Sequence, residues 1–243
     1  MNKELKEKFI IIKNKGWIES MRYGTSGIGY TFESLIGKKE DNFFLPDYDD
    51  IEIKTVKIFS KQKIHLLNLT PDGDNLFPIK EIVNKLGYPD KDYPNFNVFN
   101  MSFNARDYTK INKNTHGKIK VNKRDKKIEL IIRKGLIEKS IGISWSFDYI
   151  SERIGIKIKK LALVETYHKL IYGKEYYKYH VLKYYELKED NFIRAIEEGK
   201  IEITFKIGIF KKGERFGQIH DRGTDFSIYI KNIESIYNLK ETI

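Results

Sequence analysis

The chain contains no cysteine at all. That absence excludes a disulfide scaffold, a cysteine-built zinc finger, a thiol nucleophile and an iron–sulfur cluster, and it suits a reducing cytosol. Proline is scarce: the five prolines, Pro46, Pro71, Pro78, Pro89 and Pro94, all fall in the first 94 residues, so no proline-rich linker divides the rest. No apolar run approaches the roughly 18 residues of a spanning helix. The N-terminus is charged, and the apolar run behind it, Phe9 to Ile12, is too short for a signal peptide. No repeat at a fixed period is visible. These absences point to a soluble, cytoplasmic protein without a membrane partner.

What is present is an ordinary globular composition with a basic excess. Hydrophobic residues make up 40% of the 243, enough for a real core. Lys plus Arg number 45 against 34 Asp plus Glu, a formal charge of +11. A balance of this kind favours a polyanionic partner, nucleic acid or an anionic membrane face.

Apolar periodicity predicts helices over residues 2–14, 31–36, 80–86, 146–153, 191–198 and 233–239, with Gly37 stopping the second. It predicts strands over 51–58, 64–69, 127–133, 161–166, 179–186, 201–210 and 226–230, and irregular strands within 92–117. Helices and strands alternate irregularly, so the fold class is α/β with a mixed sheet rather than a regular parallel one.

The informative stretch is Asp47-Tyr-Asp-Asp-Ile-Glu52-Ile-Lys54. Side chains alternate along a strand, so Glu52 and Lys54 share a face while Ile51 and Ile53 point into the core. Asp47 sits at the turn that begins the strand, within reach of Glu52. Two carboxylates and the main-chain carbonyl of Ile53 can hold Mg²⁺, which takes oxygen ligands and keeps several waters. The Lys54 ammonium would then orient a water, lower its pKa, or stabilise charge developing on phosphorus. Taken alone, Asp…Glu-x-Lys also arises by chance in solvent-facing strands. Upstream, Gly24, Gly27 and Gly29 precede a short helix carrying Glu33, a third carboxylate at that helix's edge. Gly27-x-Gly29 lacks the third glycine of a dinucleotide fingerprint, and Gly37-Lys38-Lys39 lacks the Ser/Thr of a phosphate-binding P-loop.

Near the C-terminus, Ile219-His220-Asp221-Arg222-Gly223-Thr224-Asp225 enters a late strand. Arg222 can donate two parallel hydrogen bonds to a guanine or reach a phosphate; His220 can meet a base edge; Asp221 can accept from a cytosine amino group or hold Arg222. The same residues could equally close a surface hairpin. Lys110, Lys113, Lys118, Lys120, Lys123 and Arg124 form a basic segment suited to DNA or to solvent, and Arg106 and His116 are further candidate contacts without a motif. His65 could line a cleft or be a satisfied core residue. His168 and Glu165 lack the further ligands of a zinc set, and the tyrosines around His180 read more readily as sheet and core than as a stacking platform.

The glycine loop with Thr31-Phe-Glu-Ser-Leu-Ile-Gly37, then Leu45-Pro46-Asp47 and Ile51-Glu52-Ile53-Lys54-Thr55, resembles the MvaI/BcnI type II restriction endonucleases, relatives of the mismatch-repair nickase MutH within the PD-(D/E)XK nucleases. The His220-Asp221-Arg222-Gly223 segment is similar to that branch's DNA-recognition region. Asn68-Leu-Thr-Pro71 and Leu161-Ala-Leu-Val164 stand at matching positions, and the order agrees from about residue 15 to 238.

The resemblance implies a restriction-endonuclease-like fold with a mixed central sheet flanked by helices. It implies one nuclease domain over 1–243, catalytic over about 15–90, with recognition mainly in about 95–125 and 210–230. Asp47 and Glu52 would bind the metal, with Ile53 as carbonyl ligand. Lys54 would assist the water, and Glu33 would be the helix carboxylate. His220, Asp221, Arg222 and, by position, Asn68 would face double-stranded DNA, with Arg106 as a further contact.

A monomer cutting one strand at a time and leaving 5′-phosphates, at a short site of the CC-N-GG kind, is the implied activity. Departures are visible: one family member carries histidine where Asn68 stands, and residues 95–125 match poorly. A partner-activated repair nickase and a DNA-binding protein without catalysis are the alternatives.

Overall fold

The computed structural model describes residues 1–40, 43–73 and 79–243. The chain divides into two compact units, and it passes between them four times. Unit one comprises 1–62, 153–189 and 233–243; unit two comprises 63–152 and 190–232.

Unit one is built on a mixed sheet. Strand β1 (Ile18–Glu19) pairs with β11 (Lys174–Leu187), β11 with β10 (Lys160–Ile171), and β10 with β2 (Ile51–Lys57) at the edge. The β10–β2 pair is parallel, with Leu161 opposite Glu52 and Leu163 opposite Lys54. Helices α1 (Lys3–Asn14) and α2 (Gly27–Ile36) bury Leu5, Phe9, Ile12, Ile28, Phe32 and Ile36 against Ile51, Ile53, Ala162, Val164, Tyr177 and Tyr179. Strand alternation thus commits Ile51 and Ile53 to this core, as expected, and turns Glu52 and Lys54 to the other face. Asn2 caps α1, its side chain accepting from the N–H groups of Glu4 and Leu5. Helix α2 ends where Gly37 takes a left-handed conformation at φ 88°.

Unit two holds two further sheets. In one, β3 (Lys63–Asn68) pairs with β13 (Ile219–Tyr229), β13 with β12 (Ile201–Ile209), β12 with β5 (Asn97–Phe103), and β5 with β4 (Tyr88–Pro89). In the other, β6 (Thr109–Lys110), β7 (Thr115–Asn122), β8 (Lys127–Lys134) and β9 (Ile137–Ser146) follow in chain order. All these pairs are antiparallel. Helices α3 (Ile79–Leu86) and α5 (Glu189–Glu197) belong with them, while α4 (Phe147–Lys157) carries the chain from one unit into the other. The core is aromatic: Phe99, Phe103, Phe205, Trp145 and Phe226 are buried and meet ring to ring.

Three expectations need correction. The mixed sheet is not the only sheet: two antiparallel ones accompany it. The closing helix over 233–239 is instead a 3-10 segment (Ile230–Ser235) followed by β14 (Tyr237–Thr242), which adds to β11. Ile233, Ile236 and Tyr237 have helical spacing, but unpaired backbone on β11 offers a ladder that local propensity does not register. The strand over 226–230 begins earlier, at Ile219, so His220 to Arg222 lie within a strand. Strand β9 was not foreseen, because residues 137–140 are exposed and carry no alternation. Among the described residues no helix is long and apolar enough to cross a membrane.

Trp145 donates from Nε1 to the Leu69 carbonyl at 3.1 Å in full burial. Trp145→Phe removes the donor and part of the ring, so urea unfolding should show a loss of about 1–3 kcal/mol.

Candidate active site

The turn before β2 brings its acids together. Tyr48 and Ile51 exchange backbone hydrogen bonds at 3.0 and 2.8 Å, with Asp49 at φ 51° between them. This tight reversal folds Asp47 back along β2, where its Oδ2 accepts from the Ile53 N–H at 3.0 Å. In an extended strand a residue's N–H and C=O leave the same edge. The Ile53 carbonyl therefore leaves β2 on the edge occupied by Asp47.

Glu52 is 1% exposed. Its Oε1 accepts a hydrogen bond from Lys54, two residues on and on the same face. Its Oε2 is buried without a hydrogen bond and lies 3.3 Å from Lys157 Nζ at the end of α4. Burial pushes the Glu52 carboxyl above the usual range, Asp47 adds to the rise, and the two lysines oppose it. Burial likewise raises Glu33, reinforced by Asp47 and opposed by Lys54. Burial would lower Lys54, but Glu52, Asp47 and Glu33 outweigh it and hold the ammonium above its ordinary value. Lys54 is thus a charged donor rather than a neutral base.

All four expected residues, Glu33, Asp47, Glu52 and Lys54, lie within one another's electrostatic reach. Among the described residues no group of three or more His, Asp or Glu side chains is placed to hold a metal. The expected set is smaller: two carboxylates and the Ile53 carbonyl. The orphaned Glu52 Oε2 is the atom that fits a cation. Lys157 was not foreseen, since nothing local ties a helix end to a residue a hundred positions earlier.

The second cluster lies on β13. His220 stacks on Phe210 with centroids 4.1 Å apart and planes 7° from parallel, and the Arg215 guanidinium lies over Phe210 at 4.0 Å. Asp221 Oδ1 accepts from the Gly223 N–H at 2.8 Å rather than holding Arg222. Asn68, expected to face DNA, donates its side-chain amide to the Arg222 carbonyl at 2.8 Å. Arg222 is exposed and lines a pocket of about 260 Å³ with Asn100, Lys206 and Lys211. Arg106 stands apart: its stem runs along Gly199, before β12, whereas His220 pairs near the far end of that strand.

Beside this cluster, buried Asp225 holds His65 Nδ1 at 2.5 Å and Lys206 Nζ at 3.4 Å, leaving the His65 ring largely exposed. In the basic segment, Lys118 lies over the Tyr108 ring and Lys123 pairs with Glu197 at 2.8 Å. Two other histidines lie against their own sheet. His168 faces Glu175 at 3.4 Å and Tyr177; His180 lies against Tyr167. Tyr177, Tyr179 and Tyr185 are core residues.

The sequence matches the MvaI/BcnI restriction endonuclease family over residues 6–237. The chain belongs to that family. It is a site-specific deoxyribonuclease. Among solved structures it is similar to one described as restriction endonuclease MvaI in complex with cognate DNA substrate. The TM-score is 0.87 and the identity 29%, over 99% of this chain and 98% of that one. It is also similar to MvaI in the absence of DNA, with TM-score 0.61 and 28% identity over the same shares of the two chains. Comparison with curated proteins gives no match.

Gly223 ties the family's late motif to β3. At φ 82° it is left-handed, and a Cβ there would sit 2.0 Å from Asn68 Oδ1. Gly223→Ala should therefore cost more than the ~1–2 kcal/mol of left-handed strain alone. Thermal unfolding should show a smaller cost in an Asn68→Ala background, because the clash is relieved and only the strain remains.

Proposed function

We propose that this chain is a Mg²⁺-dependent, sequence-specific endonuclease on double-stranded DNA, with a PD-(D/E)XK fold. One observation carries the reading: Asp47, the Ile53 carbonyl and a buried Glu52 with one unbonded oxygen converge at the free edge of β2, beside a charged Lys54. Asp47 and Glu52 with the Ile53 carbonyl would hold the cation, which fits oxygen donors of this kind. Bound there, it supplies Lewis acidity towards a phosphate oxygen and an attacking water.

The protein's own groups do the rest. Lys54, kept protonated by three carboxylates, donates a hydrogen bond to the attacking water or to a phosphate oxygen and offsets charge on phosphorus. Glu33, half-buried with a raised pKa, accepts a hydrogen bond from that water and fixes its approach. The water oxygen bonds to phosphorus and gives up a proton to solvent, the bond to the 3′ oxygen breaks, that oxygen takes a proton from solvent and leaves as a hydroxyl, and the phosphate stays on the 5′ end.

Recognition falls to the other unit. Arg222 donates to a guanine edge or a phosphate. His220, held flat against Phe210, presents its ring edge to a base, and Asp221 accepts from a cytosine amino group with the oxygen left over from Gly223. Asn68 acts through the Arg222 main chain, and Arg106 contacts the backbone at a distance from them. The two units serve as one nuclease domain, working as a monomer in the cytoplasm.

The test is incubation of purified protein with supercoiled plasmid and Mg²⁺, followed by sequencing of the ends. Discrete sites with 5′-phosphates are expected. Asp47→Asn or Lys54→Met should lower cleavage by about a thousandfold or more while DNA binding persists. Cleavage surviving in clean preparations of both variants would sink the assignment. Arg222→Ala should cost about 1–3 kcal/mol of discrimination and relax selectivity at one position of the site.

A further inference from the structure

We propose that Lys157 is the resident counter-ion of the cation site: its ammonium neutralises Glu52 Oε2 until a divalent cation takes that oxygen. The inference rests on the metal-site reading above and adds a residue to it. The two lysines treat the carboxylate differently. Lys54 makes a hydrogen bond to Oε1. Lys157 Nζ stands 3.3 Å from Oε2 without one, and directs a hydrogen bond to the Leu45 carbonyl at 2.9 Å. It keeps that anchor when Oε2 is taken, so little is broken by its displacement. An ammonium that neutralises a buried charge without bonding to it is suited to being replaced.

The position is built rather than incidental. Lys157 is 19% exposed and its ammonium lies 5.6 Å from the centre of the Phe44 ring. Arg153, one helical turn earlier on the same face of α4, lies over that ring at 5.1 Å. The end of α4 thus grips Phe44 and Leu45, the two residues that lead through Pro46 into Asp47. One side chain ties the lead-in of one acidic group to the charge of the other. Ionised, the site holds three carboxylates (Glu33, Asp47, Glu52) and two ammoniums (Lys54, Lys157), a net charge of −1; without Lys157 it is −2. Coulomb attraction for a divalent cation rises accordingly.

The experiment is calorimetric titration of Mn²⁺ alone into the full chain, without DNA, in mildly alkaline buffer where the carboxylates are ionised. Lys157→Gln keeps an N–H for the Leu45 carbonyl and removes the charge; it should tighten Mn²⁺ binding about tenfold. Lys157→Arg keeps the charge and should bind as the parent does. Lys157→Met provides a second neutral variant should Gln fail to fold. If the parent binds Mn²⁺, Asp47→Asn loses it, and the folded neutral variant binds no tighter, the counter-ion role is overturned while the metal site stands. If neither the parent nor the neutral variants bind Mn²⁺, the metal-site reading and this inference fall together.

Discussion

The candidate site in unit one is organised around a carboxylate kept where carboxylates do not belong. Glu52 is almost fully buried, between Lys54 on its own strand and Lys157 at the end of a helix. Removing a charge from water costs several kcal/mol even after relaxation, and an ion pair of ideal geometry only roughly repays it. The burial therefore brings the fold little or no net stability. Low dielectric and exclusion of water are what make an oxygen ligand and a neighbouring ammonium act strongly on a phosphate. Burial pushes the Glu52 carboxyl upward, and the neighbouring lysines oppose the rise.

The groups of the site stand on rigid elements. Glu52 and Lys54 project from a strand whose alternate residues, Ile51 and Ile53, are locked into the core beneath α1 and α2. Asp47 is fixed by a tight turn and by its hydrogen bond to Ile53. In unit two the candidate reading residues likewise sit within β13 rather than on a free loop. His220 is held by ring stacking, Asp221 by Gly223 and the Arg222 main chain by Asn68. Pre-ordering of this kind spares the entropy that a mobile reading loop loses on contact.

What the sequence made legible follows contact range. Asp47, Glu52 and Lys54 fall within eight residues, and strand alternation alone sets their relation. Helices α1 and α2 were legible from local periodicity for the same reason, although α2 begins at Gly27 rather than Thr31. Lys157 was invisible because it reaches Glu52 only once β2 and β10 have paired in parallel, with α4 leading into β10. Asp225 stood in the late motif without an assigned role, and only the β3–β13 pairing sets it beside His65. The final segment was misread because Ile233, Ile236 and Tyr237 satisfy a helical period, whereas the edge of β11 decides the matter.

The likeness to MvaI bears on these two layers unequally. A TM-score of 0.87 over nearly the whole of both chains, at 29% identity, means that the backbone path persists while most side chains differ. A constellation of a few groups on one strand and one turn can survive such divergence, and Asp47, Glu52 and Lys54 stand together here. Specificity does not survive it by default. Each base-edge contact is worth about 1–3 kcal/mol of discrimination, so one changed residue can rewrite a position of the site. The segment from 95 to 125, which matched poorly in sequence, is built here as strands β5, β6 and β7 of unit two. The fold can therefore be inherited while the recognised sequence is not, and the identity of the bases must come from this chain's own side chains.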